Sequence, residues 1–571
     1  MPKPMRLLLF IFLVFSTIAE AQDFKILKEN LSPRAKIYWD AQNKHVQGIG
    51  SYYVGVVKPT VNEKHGKWQF FTYDGVLEEE AFYYRNRLHG KRVFYYPNKQ
   101  VKQESYFNFN VPDSSYREYA ENGTLLIKGQ FELGSPVGRW EYFYPDGSPK
   151  SIENVSNDTI YLMEFWEEQI PHKKTIQNGD GKILSYYVDG VVKEFYTFQN
   201  GLKTGPFEER TANGMLSVAG AFINGKKDGN WQFYRYDGVL EKQVGYAQDS
   251  LHGLYLVMST EKDTLTFGYF NKGLKTGHWR WFNEGSVLDM KGYFEEGKQD
   301  SVWHYYFPNG QLSYIAHYEK DLRAGDWTYY YPNGALYRTG SYFQDKRTGL
   351  WQTWYEDSTL LMSGNYLNGL EEGEWKNYWE NGRIKNKSTF KAGKLDGDWI
   401  SYTPDGIVSV KGAYKNGLKV GEWLLYYSNG RLKEKQHFKI FTQKNLSEGI
   451  TKMGFKEEIS NFHGSYEAYS HLDFQIKEVG KYKNGQKHGT WTNYYPGGVV
   501  PTIVAQYREG QLDGVFKQYD RYGHLVYEIN YKNGLKHGQF LAFNENGKIV
   551  SRKLFRYGEE IGSQQKDDFI P

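Results

Sequence analysis

Aromatic and aliphatic residues fall in short runs along this chain, each bounded by a cluster of Gly, Asn, Asp, Pro or Lys. No run has the three-to-four-residue spacing of an amphipathic helix. The runs recur in register instead. A Gly-x-aromatic signature starts at Gly205, Gly229, Gly253, Gly277, Gly325, Gly349, Gly373, Gly397 and Gly421, each 24 or 48 residues after the last, and Ser301 fills the gap in phase. With the repeat Gly counted as position 0, position +2 reads Phe207, Trp231, Tyr255, Trp279, Trp303, Trp327, Trp351, Trp375, Trp399 and Trp423. Position +17 reads Phe222, Tyr246, Phe270, Phe294, Tyr318, Tyr342, Tyr366, Phe390, Tyr414 and Phe438.

Between the two aromatic positions lies a turn signal, clearest in Pro308-Asn309-Gly310, Pro332-Asn333-Gly334 and Pro404-Asp405-Gly406. Pro presets the first turn angle, Asn or Asp suits the second, and Gly takes a left-handed third. This predicts a type I turn closed by a glycine bulge, in a three-residue hairpin loop. In that register Tyr330 faces Leu336 and Tyr306 faces Leu312. A second connection, as in Asn224-Gly225-Lys226-Lys227-Asp228-Gly229, leads to the next copy. The flanking runs are rich in Tyr, Trp, Phe and Val, which favours strands. The fold class that follows is all-β: an elongated single-layer array of stacked antiparallel hairpins with a period of 24.

The phase extends outward through Gly181, Gly138, Ser114, Gly90 and Gly66, and through Gly464, Gly489, Gly514 and Gly538. Two steps, Gly138 to Gly181 and Gly421 to Gly464, are longer by 19 residues. The expected organisation is a signal peptide at 1–21, an N-terminal segment with one degenerate repeat at 22–65, and a repeat block at 66–150. An insert at 151–180, a block at 181–440, a second insert at 441–463, a block at 464–562 and a tail at 563–571 complete it. Each insert reads as a looped-out excursion or a kink. Trp39, Asn43 and Gly50-Ser51-Tyr52-Tyr53 mark the degenerate copy.

The run Asn416-Gly417-Leu418-Lys419-Val420-Gly421-Glu422-Trp423, followed by Tyr426-Tyr427 and Asn429-Gly430, resembles the MORN repeat. It is closest to the bacterial variant of antitoxin-like proteins, and the resemblance runs from about Gly50 to Gly562. It implies a sheet of stacked hairpins used as a scaffold, with contacts to phospholipid, protein or further copies. An antitoxin would reside with its toxin in the cytoplasm, whereas this chain opens with Lys3 and Arg6, an apolar run from Leu7 to Ile18, and Ala19-Glu20-Ala21. That is the pattern of a secretory signal cleaved after Ala21, the alternative being an uncleaved membrane anchor. The expected location is bacterial periplasm, cell surface or medium.

Lys and Arg number 71 against 67 Asp and Glu, a net charge of +4, which argues against nucleic acid as a partner. There is no Cys, so neither a disulfide nor a lipid attached through Cys is available. No phosphate loop, nucleophile elbow or His-Glu-x-x-His motif occurs, and no enzyme, cofactor or metal is expected. His65, His89, His252, His463, His488 and His537 share a turn slot before the repeat Gly and read as turn residues rather than ligands. Asp326, Glu374, Asp398 and Glu422 share a solvated slot. Lysines at the second turns (Lys226-Lys227, Lys272, Lys275, Lys298, Lys346-Arg347, Lys394, Lys415, Lys419) read as a solubilising edge, the alternative being a stripe for anionic lipid or polysaccharide.

Trp231, Trp279, Trp303, Trp327, Trp351, Trp375, Trp399 and Trp423, with Tyr318, Tyr342, Tyr366 and Tyr414, form the expected structural ladder. Trp281, Trp354 and Trp379 lie outside the +2 position and are the candidate binding surface. The functional expectation is a secreted, non-enzymatic scaffold for a protein partner or an envelope component such as a lipid headgroup or glycan. Alternatives are a glycan-binding aromatic repeat protein and a toxin-neutralising protein.

Overall fold

The computed structural model describes residues 28–55, 62–444 and 456–565, and every element in it is a β-strand. The signal segment with Ala21 lies outside the described residues, as does most of the tail. The chain divides into two units, residues 1–274 and 275–571.

In each unit the described strands pair antiparallel with their neighbours in sequence, giving a single-layer sheet. One repeat shows how. Strand Leu322–Tyr330 pairs with Leu336–Phe343 in the register Gly325↔Tyr342, Trp327↔Gly340, Tyr329↔Arg338 and Tyr330↔Leu336. Tyr306 likewise faces Leu312. The loop is the one the sequence predicts. The Gly334 amide donates to the Tyr331 carbonyl at 2.9 Å, the Tyr331 amide donates to Ala335 at 2.8 Å, and Gly334 has φ +86. Asn333 Oδ1 accepts from the Ala335 amide at 2.9 Å, which is why this turn slot holds Asn or Asp.

The second connection is tighter than the first. Phe343 pairs with Lys346, so only Gln344 and Asp345 turn the chain, at φ 46 and 65. Two successive positive φ values define a type I′ turn, which matches strand twist and selects Asn-Gly in other copies. Just beyond it the ladder is irregular: Ser341 pairs with Thr348, but Thr339 pairs with Gln352. Gly349 sits in this bulge at φ +64, the left-handed region that disfavours side chains. The repeat Gly is therefore a bulge residue, and the bulge sets which face carries the following Trp.

The degenerate N-terminal copy is a true hairpin, Ala35–Tyr38 with Val46–Tyr52. The first insert is not looped out. Thr159–Trp166 pairs with Pro149–Ser156 on one side and with the short strand Lys174–Gln177 on the other, so the excursion is absorbed into the sheet as a compressed hairpin. The second insert lengthens two strands instead. Leu432–Lys444 pairs with Lys456–Phe462 from Phe438↔Phe462 to Lys444↔Lys456, carrying a two-stranded arm beyond the usual turn position.

Candidate binding surface

The two faces of the sheet are chemically distinct. One carries the aromatic ladder. Its rings alternate edge to face: Trp327–Tyr342 at 5.2 Å, Tyr342–Trp351 at 5.2 Å, Trp351–Tyr366 at 5.9 Å and Tyr366–Trp375 at 5.0 Å. Trp399–Tyr414 and Tyr414–Trp423 repeat the motif at 5.8 and 5.0 Å. Trp231, Trp279, Trp303, Trp327, Trp351, Trp375 and Trp423 are buried, while Trp399, Tyr318 and Tyr414 are half-buried. Each edge-to-face pair contributes about 0.5–1.5 kcal/mol beyond burial.

A small residue makes this packing possible. Gly340 lies opposite Trp327, and the next Trp covers it: a Cβ on Gly340 would meet the Trp351 ring at 2.1 Å. Gly220, Gly292, Gly364, Gly412 and Gly480 stand in the same relation to Trp231, Trp303, Trp375, Trp423 and Trp491. The covering indole also anchors itself, donating from Trp351 Nε1 to the Ser341 carbonyl at 3.2 Å and from Trp375 Nε1 to Asn365 at 3.2 Å. A cation two residues before the repeat Gly lies over the rings: Lys227 over Trp231 at 4.4 Å, Arg347 over Trp351 at 4.9 Å and Lys419 over Trp423 at 4.3 Å. These cations are packing elements. Lys226, Lys298, Lys346 and Lys394, at the turns themselves, are exposed.

A second repeated contact sits at position +6, where Tyr donates its hydroxyl to the +5 carbonyl of the next repeat. Tyr96 reaches Tyr119, Tyr187 reaches Arg210, Tyr331 reaches Trp354 and Tyr355 reaches Tyr378, at 2.9–3.1 Å. Tyr427 spans the second insert to Tyr469 at 2.8 Å.

The three tryptophans singled out as extra are not extra. Trp379 occupies the +6 slot, donating Nε1 to the Tyr402 carbonyl at 3.2 Å with Lys385 over its ring at 4.5 Å. Trp354 occupies the +5 slot that neighbours fill with Tyr, and faces Leu360. Trp281, at +4, stacks between Trp279 at 5.6 Å and Trp303 at 5.7 Å. All three are half-buried. They look surplus only when the +2 column alone is counted. Trp281 does begin an enlarged aromatic column, continued by half-buried Tyr305, Tyr314 and Tyr329, with Tyr305 stacked on Tyr314 at 4.1 Å. Burial pushes the hydroxyls of Tyr305 and Tyr314 above the ordinary tyrosine range.

The opposite face is polar and held by cross-strand ion pairs: Lys91–Glu104 at 2.6 Å, Glu422–Lys435 at 3.1 Å and Lys517–Glu528 at 3.2 Å. The carboxylate slot behaves accordingly. Glu374 pairs with Lys376, Asp326 accepts from Ser341 Oγ at 2.6 Å, and Asp398 is exposed. His65 and His89 are buried, and His65 Nε2 lies 3.1 Å from the Glu29 carbonyl. No group of three or more His, Cys, Asp or Glu among the described residues could hold a metal ion.

These features define the class: a hairpin-repeat protein whose units interlock through Trp-on-Gly packing and Tyr latches. Residues 64–86, 88–108, 136–157, 299–320, 323–344, 371–392, 419–439 and 512–533 match the MORN repeat variant, so the chain carries MORN-type repeats at eight positions. No curated protein matches it. Solved structures that align with it include TcdB2-TccC3 without its hypervariable C-terminal region, at 12% identity over 93% of this chain and 30% of that one, with a TM-score of 0.12. The Photorhabdus luminescens Tc holotoxin pore aligns at 10% identity over 92% and 32%, with a TM-score of 0.13. The chain spans about a third of the length of these structures, and overlaps this shallow carry no inference about role.

Proposed function

We propose that the protein is a non-enzymatic scaffold, exported by a bacterium, that presents its sheet to a protein partner or an envelope component. The carrying observation is the uniformity of the array. The same slots serve packing, latching and charge pairing in copy after copy, and extended repeat surfaces of this kind suit binding rather than catalysis. The leader pattern before Ala21 supports export. Fractionation of the native host followed by N-terminal sequencing tests it. A mature chain starting at Gln22 outside the cytoplasm is expected; a cytoplasmic chain retaining the leader overturns the export reading and favours a toxin-neutralising role.

One observation favours a glycan as the component held. Trp281, Tyr305, Tyr314 and Tyr329 lie in one column across neighbouring strands, interrupted by Met290, and each keeps part of its ring at the surface, an aromatic patch of the kind sugars pack against. Titration with cell-wall fragments should quench tryptophan emission in the native chain and less so in Trp281→Ala. No change at millimolar fragment removes the glycan reading.

A further inference from the structure

On the polar face of the second unit, one place breaks the pairing rule. The +3 and +14 positions form a column across adjacent strands; cations also face each other there in Arg117 with Lys128 and in Lys376 with Lys387, but a carboxylate stands beside each pair, as in Glu104 with Arg117 at 3.7 Å, Lys128 with Glu141 at 3.5 Å and Glu374 with Lys376. In strands Leu274–Phe282, Leu288–Glu295 and Lys298–Tyr306 the column reads Arg280, Lys291, His304. Arg280 faces Lys291 and Lys291 faces His304. Neither Arg280 nor Lys291 meets a carboxylate among the described residues. Like charges directly opposed on a sheet are destabilising, and adjacent strands lie only about 4.8 Å apart. Nothing in the fold requires two cations and an imidazole in succession, since the neighbouring positions Ile315, Thr328 and Thr339 continue the column uncharged.

The same residues line a hollow of about 600 Å³ with His278, Tyr293 and Val302. His278 packs edge-on to Tyr293 at 5.3 Å. His317 stands beyond His304, its Nδ1 2.6 Å from the Asp326 carbonyl. Burial holds the His304 imidazole below its ordinary pKa, and the neighbouring Lys291 and His317 push it the same way.

We infer that Arg280, Lys291, His304 and His278 form a binding site for a compact oxyanion, a phosphate or sulfate group, free or carried on a larger molecule. The guanidinium supplies a planar two-point contact and Lys291 a point charge beside it. The inference does not depend on the chain being exported.

The test is calorimetric titration of the full-length protein at low salt with inorganic pyrophosphate, in parallel with sulfate and with vesicles containing phosphatidic acid. At least one probe should bind, and Arg280→Gln and Lys291→Gln should each weaken it by roughly tenfold. Lys435→Gln, in the same column but paired with Glu422, should leave affinity unchanged. His304→Glu restores a carboxylate opposite Lys291. It should abolish binding while the melting temperature holds or rises, which separates loss of the site from loss of the fold. Vesicles binding without pyrophosphate would identify a lipid headgroup as the source. Failure of all three probes, retention of affinity in His304→Glu, or an equal loss in Lys435→Gln would overturn the assignment.

Discussion

Gly340 lies between two tryptophans, and the sequence shows why it must be small. Where the following +2 residue is Trp, the +15 residue is most often Gly; where Tyr255 follows, Val244 is tolerated. Ala316 before Trp327 and Ser388 before Trp399 are the compromises, and Trp399 is less buried than its counterparts. Gly340→Ala should lower stability by about 1–3 kcal/mol through overpacking. Gly349→Ala meets no atom within 4 Å but sits at φ +64, so it should cost about 1–2 kcal/mol from backbone strain alone. Urea unfolding measures both, and only Gly340→Ala should also change near-ultraviolet tryptophan dichroism. Two histidines should titrate on opposite sides of 6.5 by NMR. His172 is raised, by its bond to the Glu167 carbonyl and then by Asp146, so its stabilisation is complete below 6.5 and is lost as pH rises through the folded value. Asp146, lowered to about 2 by Ser148 and then His172, contributes above 3.8 and loses that contribution as pH falls towards 2. His304 is lowered by burial, so acidification below 6.5 costs stability until its folded pKa is passed.

At the scale of one hairpin, the chain was readable where local chemistry dictates geometry. Pro-Asn-Gly specified the three-residue loop, and the Tyr330 and Leu336 register followed from it. The features without a sequence signature depend on contacts between repeats. The bulge at Gly349 inserts residues opposite Gly340, so simple alternation does not assign faces beyond it. The +6 latch pairs residues 23 apart through a side chain and a backbone carbonyl, and the carbonyl has no sequence signature. Its only trace was the recurrence of Tyr at +6, with Trp379 as a variant. The first insert looked irregular because its strands pair without the repeat Gly. Tyr331→Phe should cost about 1 kcal/mol, the worth of one hydrogen bond. Trp379→Tyr should be tolerated to within about 0.5 kcal/mol, since tyrosine fills that slot elsewhere, whereas Trp379→Ala should cost about 3 kcal/mol or more. Equal losses in the Tyr and Ala variants would remove the latch reading of Trp379.

Within each unit, the described hairpins pair strands and place ladder and latch contacts on their neighbours, so stability should behave as a sum of repeats and interfaces. Residues 325–372 make two complete repeats, and their removal joins Ala324 to Gly373 in phase. The measurement that bears most directly on this account is cooperative urea unfolding, followed by circular dichroism, of that 48-residue deletion beside a 36-residue deletion, residues 325–360, that breaks the 24-residue phase. The in-phase variant should keep its sheet spectrum and a cooperative transition, and the out-of-phase variant should lose both. Loss of structure in the two alike, or survival of the two alike, would contradict an array held together by phased neighbours.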